Sequence, residues 1–318
     1  MHKQNCRWMK RLAVILLTST LTLFPGCTME DAEQYLTDAL SQSFGGKTSS
    51  DSTEDAECTV YFLDVGQGDS ELILTDTAAV LIDAGEQSAG ADILADLQKY
   101  GVETLDWIIC THPHADHIGG FSVLLTYAQE YDDLTIENVM IPDLPDEQIP
   151  TTQAYEKFLD GVEKNGLELT YAEETTLDLG SASLEIVPSP GNDYRSLNDY
   201  SICAYLTCGD TSFFFTGDAS TPEESDLVEN NILRSADVLK VGHHGSKESS
   251  TEEFLEVIQP SYAVISCGAD NSYGHPTDEA LERLSEYCGS QIWRTDEDGT
   301  VEITSDGEII TVITNGRL

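Results

Sequence analysis

Beyond residue 57 the chain alternates short apolar runs with amphipathic stretches, and both kinds stop at Gly, Pro, Asn or Asp. Thr59–Val65, Glu71–Leu74 and Ala79–Ile82 read as three strands, with Gly66-Gln67-Gly68-Asp69 as the first turn. Ala89–Tyr100 has helical spacing, and Trp107–Cys110 is a short buried strand. Helices are predicted over Gly119–Ala128 and Thr152–Lys164, followed by strands over Leu184–Val187, Ser201–Thr207 and Ser212–Thr216. Next come the strand Val238–Val241, the helix Thr251–Ile258, the strand Tyr262–Ser266 and the helix Asp278–Tyr287, with closing strands near Ile292, Val301 and Ile309. Blocks of strands interleaved with amphipathic helices predict an α/β fold of four layers, αββα: two sheets face to face with helices outside.

The first 57 residues break the pattern. Met1–Arg11 is basic, Leu12–Leu23 is mostly apolar, and Phe24-Pro25-Gly26-Cys27 follows, which fits a secretory signal and is short for a bilayer span. The Gly-Cys resembles a bacterial lipoprotein processing site, in which Cys27 becomes the lipid-modified first residue, although Phe24 and Pro25 depart from that pattern. An ordinary signal peptide, giving a secreted protein, and an uncleaved anchor are the alternatives; all three put the domain outside the cytoplasm. Residues 28–57 are an acidic Ser/Thr-rich tether, and residues 58–318 form the folded domain.

Charge narrows the partners. The chain has 15 Lys+Arg against 58 Asp+Glu, a net charge of −43. Without Lys3, Arg7, Lys10 and Arg11 the balance is 11 against 58, or −47. Such a surface repels polyanions at long range and offers no basic track for counterion-releasing DNA binding. It is read as a solvated surface suited to an extracellular medium. Cys6 and Cys27 belong to the leader, leaving Cys58, Cys110, Cys203, Cys208, Cys267 and Cys288, none at close metal-type spacing. Cys110, Cys203 and Cys267 lie in apolar runs and read as core, and no disulfide pairing is predicted.

The chemistry concentrates in Thr111-His112-Pro113-His114-Ala115-Asp116-His117-Ile118-Gly119-Gly120, a loop between a buried strand and a helix. Imidazole and carboxylate suit zinc, manganese or iron, and His-x-His-x-Asp-His can serve two adjacent ions. A polar loop holding histidines by chance is the plain alternative, yet this loop holds three of only seven in the chain. His243-His244-Gly245-Ser246 follows the strand Val238–Val241, and His275 lies beyond Tyr262–Ser266. Loops at strand ends converge in such sheets. Asp218, after Phe213-Phe214-Phe215-Thr216-Gly217, sits where a carboxylate can bridge two metals.

These residues resemble the metallo-β-lactamase superfamily and, more closely, the extracellular nuclease-like domain of the ComEC competence proteins and its stand-alone relatives. The closer likeness is carried by Leu63-Asp64-Val65-Gly66-Gln67-Gly68-Asp69-Ser70, Leu81-Ile82-Asp83-Ala84-Gly85, Asn198-Asp199-Tyr200-Ser201, Thr216-Gly217-Asp218, His243-His244-Gly245-Ser246 and Gly274-His275-Pro276. It covers about Thr59 to Ile313 and lacks the transmembrane channel of typical ComEC proteins. The resemblance implies one metal on His112, His114 and a member of the His243-His244 pair. The second takes Asp116, His117 and His275, with Asp218 bridging. Asp83 then orients a ligand imidazole, while Asn198, Ser201 and Ser246 stand near ligand or substrate. Asp116 and the non-ligand member of His243-His244 are the expected catalytic groups.

The implied cofactors are two divalent ions, zinc or manganese, that hold a hydroxide for hydrolysis. The implied activity is a phosphodiesterase or nuclease at the extracellular face of the membrane, lipid-anchored through Cys27. Its substrate is then a nucleic acid or a cell-envelope polymer, and no protein partner is identifiable. Competing readings are an envelope esterase acting on teichoic-acid phosphorylcholine, hydrolysis of a β-lactam or thioester, and a non-catalytic metal-binding module.

Overall fold

In the computed structural model, residues 57–314 and Gly316 are described. The expectations for the signal segment, Cys27 and the tether lie outside these residues. Among the described residues no helix is long and apolar enough to cross a membrane.

Fifteen strands among the described residues form two sheets. The first contains β1 (Cys58–Phe62), β2 (Glu71–Thr75), β3 (Ala79–Ile82), β4 (Thr104–Ile109), β5 (Thr135–Ile141), β6 (Leu169–Tyr171), β14 (Val301–Ser305) and β15 (Ile310–Thr314), in the order β15-β14-β1-β2-β3-β4-β5-β6. The second contains β7 (Thr175–Asp178), β8 (Ser183–Val187), β9 (Cys203–Cys208), β10 (Thr211–Phe215), β11 (Val238–Lys240), β12 (Tyr262–Ile265) and β13 (Ile292–Arg294), in the order β13-β12-β11-β10-β9-β8-β7. Each sheet has an antiparallel part and a parallel part, β3 to β6 and β10 to β13, that needs crossovers.

Helices supply those crossovers and cover the outer faces. α1 (Gly90–Tyr100), α2 (Ala115–Ile118), α3 (Phe121–Glu130) and α4 (Gln153–Lys164) cover the first sheet; α5 (Thr221–Glu229), α6 (Glu252–Ile258) and α7 (Asp278–Cys288) cover the second, and the short α8 (Thr295–Asp298) follows β13. Alternate strand residues face inward, so Val60, Phe62, Val80 and Ile82 meet Ile186, Leu206, Phe213 and Phe215 between the sheets. The opposite residues, such as Leu81 and Ile108, pack under Leu97, Phe121 and Phe158 of the helices. Leu239, Val241 and Ile265 do the same under Phe254 and Leu284. The predicted αββα layering is the observed architecture.

α4, α6 and α7 begin at Thr152, Thr251 and Thr277, whose hydroxyls accept the N–H of Tyr155, Phe254 and Ala280. Glycine at 101 ends α1 with a left-handed φ of 76°. The strands β5, β6 and β7 and the helix α5 were not predicted; α5 buries Glu223 and Glu224 and so has no apolar stripe to read.

Candidate metal centre

The parallel strands β3, β4, β10, β11 and β12 end at one rim, and each releases its loop there. Asp83 follows β3, Thr111–His114 follow β4, Asp218 follows β10, and His243-His244 follow β11. α2 starts directly after His114, so Asp116 and His117 project from its single turn, pinned by His117 N–H donating to the His114 carbonyl at 3.1 Å. The Gly68 turn lies against this helix: its φ is 131°, and a Cβ there would collide with the Asp116 carbonyl oxygen. Asp69 N–H donates to that same carbonyl at 3.2 Å.

Asp218 is the hub. Its Oδ2 lies 3.3 Å from His117 Nε2, 3.6 Å from His244 Nε2, and 3.9 Å from both His112 Nε2 and His243 Nε2. Its own N–H is held by Ser201 Oγ at 3.0 Å. His117 is aimed from behind: its Nδ1–H donates to Asp83 Oδ2 at 2.7 Å, which leaves Nε2 facing Asp218. Asp83 is itself fixed by the Thr111 N–H at 2.8 Å and the Thr111 hydroxyl at 2.6 Å.

His243 and His244 both have positive φ, 45° and 54°, a left-handed backbone that costs a non-glycine residue on the order of 1 kcal/mol. That turn sends the two rings in different directions. His244 goes inward: Nδ1–H donates to the Ser266 carbonyl at 2.9 Å, and Nε2 lies 3.4 Å from Asp116 Oδ2. His243 stays at the rim, 26% exposed, with the Asn198 amide donating to its Nε2 at 3.1 Å. His275 packs edge-on against His243 with ring centroids 5.5 Å apart.

This differs from the partition implied by the resemblance. His244 clusters with Asp116 and His117, while His275, packed edge-on against His243, belongs to none of the metal-binding clusters among the described residues. His112 and His114 form the other group, with His112 Nε2 and His114 Nδ1 only 3.0 Å apart. Ser201 is placed behind Asp218 rather than at an open face, wholly buried. Ser246 turns away to accept the Glu248 N–H at 3.2 Å.

Two groups in the site carried no predicted role. Lys240, wholly buried on β11, bonds the Asp69 carboxylate and donates to the Gly217 carbonyl at 3.0 Å. Asp69 Oδ1 in turn lies 3.2 Å from His244 Nδ1. The available signal was a lone lysine inside the apolar run Ala236-Asp237-Val238-Leu239-Lys240-Val241.

The donor set fits divalent cations. Burial lowers the pKa of His112 and His114, which keeps both rings neutral, and they share an N–H···N hydrogen bond at 3.0 Å that leaves neutral nitrogen donors for a cation. His117 and His244 go the other way. Burial opposes their charge, yet the carboxylates around them, Asp218 foremost, raise both, His244 to about 10. Protonated imidazoles thus neutralise a nest of carboxylates, a role that metal ions take over when they displace those protons. His117 Nε2, His244 Nε2 and Asp218 Oδ1 are buried without a hydrogen-bond partner. His112, His117 and Asp218 form one cluster of metal-binding geometry, and Asp116, His117 and His244 form another.

A sequence profile described as the Metallo-beta-lactamase superfamily matches residues 63–130 and 189–269, which include every clustered ligand named above. The chain has the metallo-β-lactamase fold. Within this fold it is similar to ComE operon protein 3 of Bacillus subtilis, at 30% identity over 78% of the chain and 33% of the relative. It is also similar to competence protein ComA of Neisseria gonorrhoeae, at 28% identity over 77% of the chain and 32% of the relative. Both are ComEC-type competence proteins, and the chain spans about a third of their length. The metallo-β-lactamase fold protein YhfI from Bacillus subtilis superposes with a TM-score of 0.51 at 15% identity, covering 79% of this chain and all of YhfI, a likeness of fold alone.

Proposed function

We propose that this domain is a two-metal phosphodiesterase, acting on nucleic acid or a cell-envelope phosphodiester, and held at the extracellular face of the membrane by lipid on Cys27. The observation that carries the metal chemistry is Asp218 Oδ2, with four imidazole Nε2 atoms within 3.3–3.9 Å. His112, His114 and Asp218 would hold one ion, and Asp116, His117, His244 and Asp218 the other. Bound there, a pair of divalent ions supplies Lewis acidity and lowers the pKa of water at the site towards 7.

The chain's own residues do the rest. Asp83 locks the tautomer of His117, and Ser266 locks that of His244, so neither ring must reorganise during turnover. His243 stands at the rim with Asn198 against it, where its imidazolium form would give a proton to the departing oxygen of a substrate. The likeness of the Asp64–Ser70 and His243–Ser246 motifs to the nuclease-like ComEC domain supports a phosphodiester over a β-lactam. The acidic surface favours a substrate gripped at the centre itself rather than along a basic track.

The test is a parallel assay of the purified chain, with zinc or manganese, on bis-p-nitrophenyl phosphate, single-stranded DNA and a phosphorylcholine ester. Metal-dependent hydrolysis of the first is expected, and loss of it in Asp218→Ala. DNA cleavage alone would exclude the envelope substrate. Bound metal with no hydrolysis of any of the three would leave a non-catalytic binding module.

A further inference from the structure

Cys58 opens β1 in one sheet, and Cys208 closes β9 in the other. Both are wholly buried in the core between the sheets. Their surroundings are shared. Cys58 is the ladder partner of Ser305 on β14. Ser305 Oγ lies 2.6 Å from Thr211 Oγ1, and that hydroxyl donates to the Cys208 carbonyl at 2.8 Å. Thr211 is also the ladder partner of Cys208, so the two cysteines flank one Ser305–Thr211 contact that joins the sheets. The other four described cysteines are placed differently. Cys203 faces the Thr216 carbonyl, Cys267 the Asp296 carboxylate and Cys288 the Pro260 carbonyl, while Cys110 is buried under the helices of the first sheet.

We propose that Cys58 and Cys208 are a disulfide site, which staples the first strand of one sheet to the central part of the other. In the chain that is still folding either thiolate can open the exchange, and the other completes it.

The oxidant is a small-molecule or protein disulfide. Where Cys208 opens, its thiolate attacks one sulfur of the donor, forming a mixed disulfide and releasing one thiol. Cys58 then loses its proton and attacks the Cys208 sulfur, releasing the second thiol. Two cysteine thiols are oxidised, one donor disulfide is reduced, and both protons leave on the donor thiols. Since the pair is sealed from solvent, exchange takes place while the chain folds, before β1 and β9 close over it.

The bridge would close a loop of 150 positions, among the longer ones a single domain can close. Chain-entropy stabilisation grows with loop length. On the tethered reading proposed above, it also sits where the tether enters the domain and tension would be applied. The site itself does not depend on that reading.

The full chain is unfolded in guanidinium and refolded in parallel with reduced glutathione or with a mixture containing glutathione disulfide, then acid-quenched, alkylated and digested. A peptide linking Cys58 to Cys208, two hydrogens lighter than its parts, is expected only in the oxidised sample. The melting temperature of that sample should be higher by roughly 5–10 °C. Folded oxidised protein without the linked peptide would overturn the proposal. So would bridges spread over the other six cysteines, or refolding in the reduced sample alone. The Cys58→Ser/Cys208→Ser variant should fold, bind metal as before and lose the redox-dependent shift; a shift that persists in it would also overturn the assignment.

Discussion

Lys240 and Asp69 form an ion pair sealed from solvent directly beneath the metal centre. Lys240 also grips the Gly217 carbonyl next to Asp218, and Asp69 lies against His244, so the pair touches both arms that build the site. Burial works against the charge on each, but Asp69 holds Lys240 protonated and Lys240 keeps Asp69 ionised. Lys240→Met removes the cation and leaves a buried carboxylate, a change that costs about 3–5 kcal/mol. Urea unfolding of the metal-free variant measures it. Adding Asp69→Asn to Lys240→Met should recover part of the loss, because the orphaned charge is then gone.

The geometry separates His244 from His275. His244→Ala should reduce bound metal to about one ion per chain, since Asp116 and His117 lose their third partner. His275→Ala should leave the metal content unchanged and alter turnover through His243, on which His275 packs. Metal analysis after exhaustive dialysis reads both variants. Loss of an ion in His275→Ala with none lost in His244→Ala would reverse the assignment.

Metal removal should loosen the whole domain, because the ligands come from loops on both sheets. An ion present at a thousandfold over its dissociation constant stabilises by about 4 kcal/mol. For a domain of this size that corresponds to a fall of roughly 8–16 °C in melting temperature on chelation. Differential scanning fluorimetry with and without EDTA checks it, and Asp218→Ala should melt at one temperature in both buffers.

The parts of the fold legible in the sequence were those where burial repeats along the chain. β1 to β4 and β8 to β12 are apolar runs cut by turn residues, and α1, α4 and α7 carry one apolar face. β5 was lost because Glu137 and Asn138 interrupt its run, and β7 because three of its four residues are exposed. The His112–His117 loop stood out because histidine is rare in this chain. The Lys240–Asp69 pair did not, since its meaning lies in a contact across 171 positions. Nor did the choice of His244 over His275, which rests on a left-handed turn that residue types alone do not announce.

Glu224 gives a pH dependence away from the metal ligands. It is wholly buried in the first turn of α5 and accepts the Ser250 N–H at 2.5 Å and the Thr251 N–H at 2.8 Å. Burial pushes it up to about 7, although those donors and Arg283 pull the other way; buried Glu223 beside it is the other charged neighbour. Unfolded, Glu224 ionises near 4.5. Between those values the folded chain holds a proton that the unfolded chain has lost, so stability falls as pH rises from about 4.5 to about 7 and then levels. Glu224→Gln cannot ionise and drops this share of the slope. It also loses part of the bonding to Ser250 and Thr251, but that loss is the same at every pH. The difference in melting temperature, variant minus parent, should therefore climb across this window when chelated protein is melted at intervals from pH 4.5 to 8. Parallel curves would mean that Glu224 stays ionised throughout, with its two N–H donors and Arg283 outweighing burial.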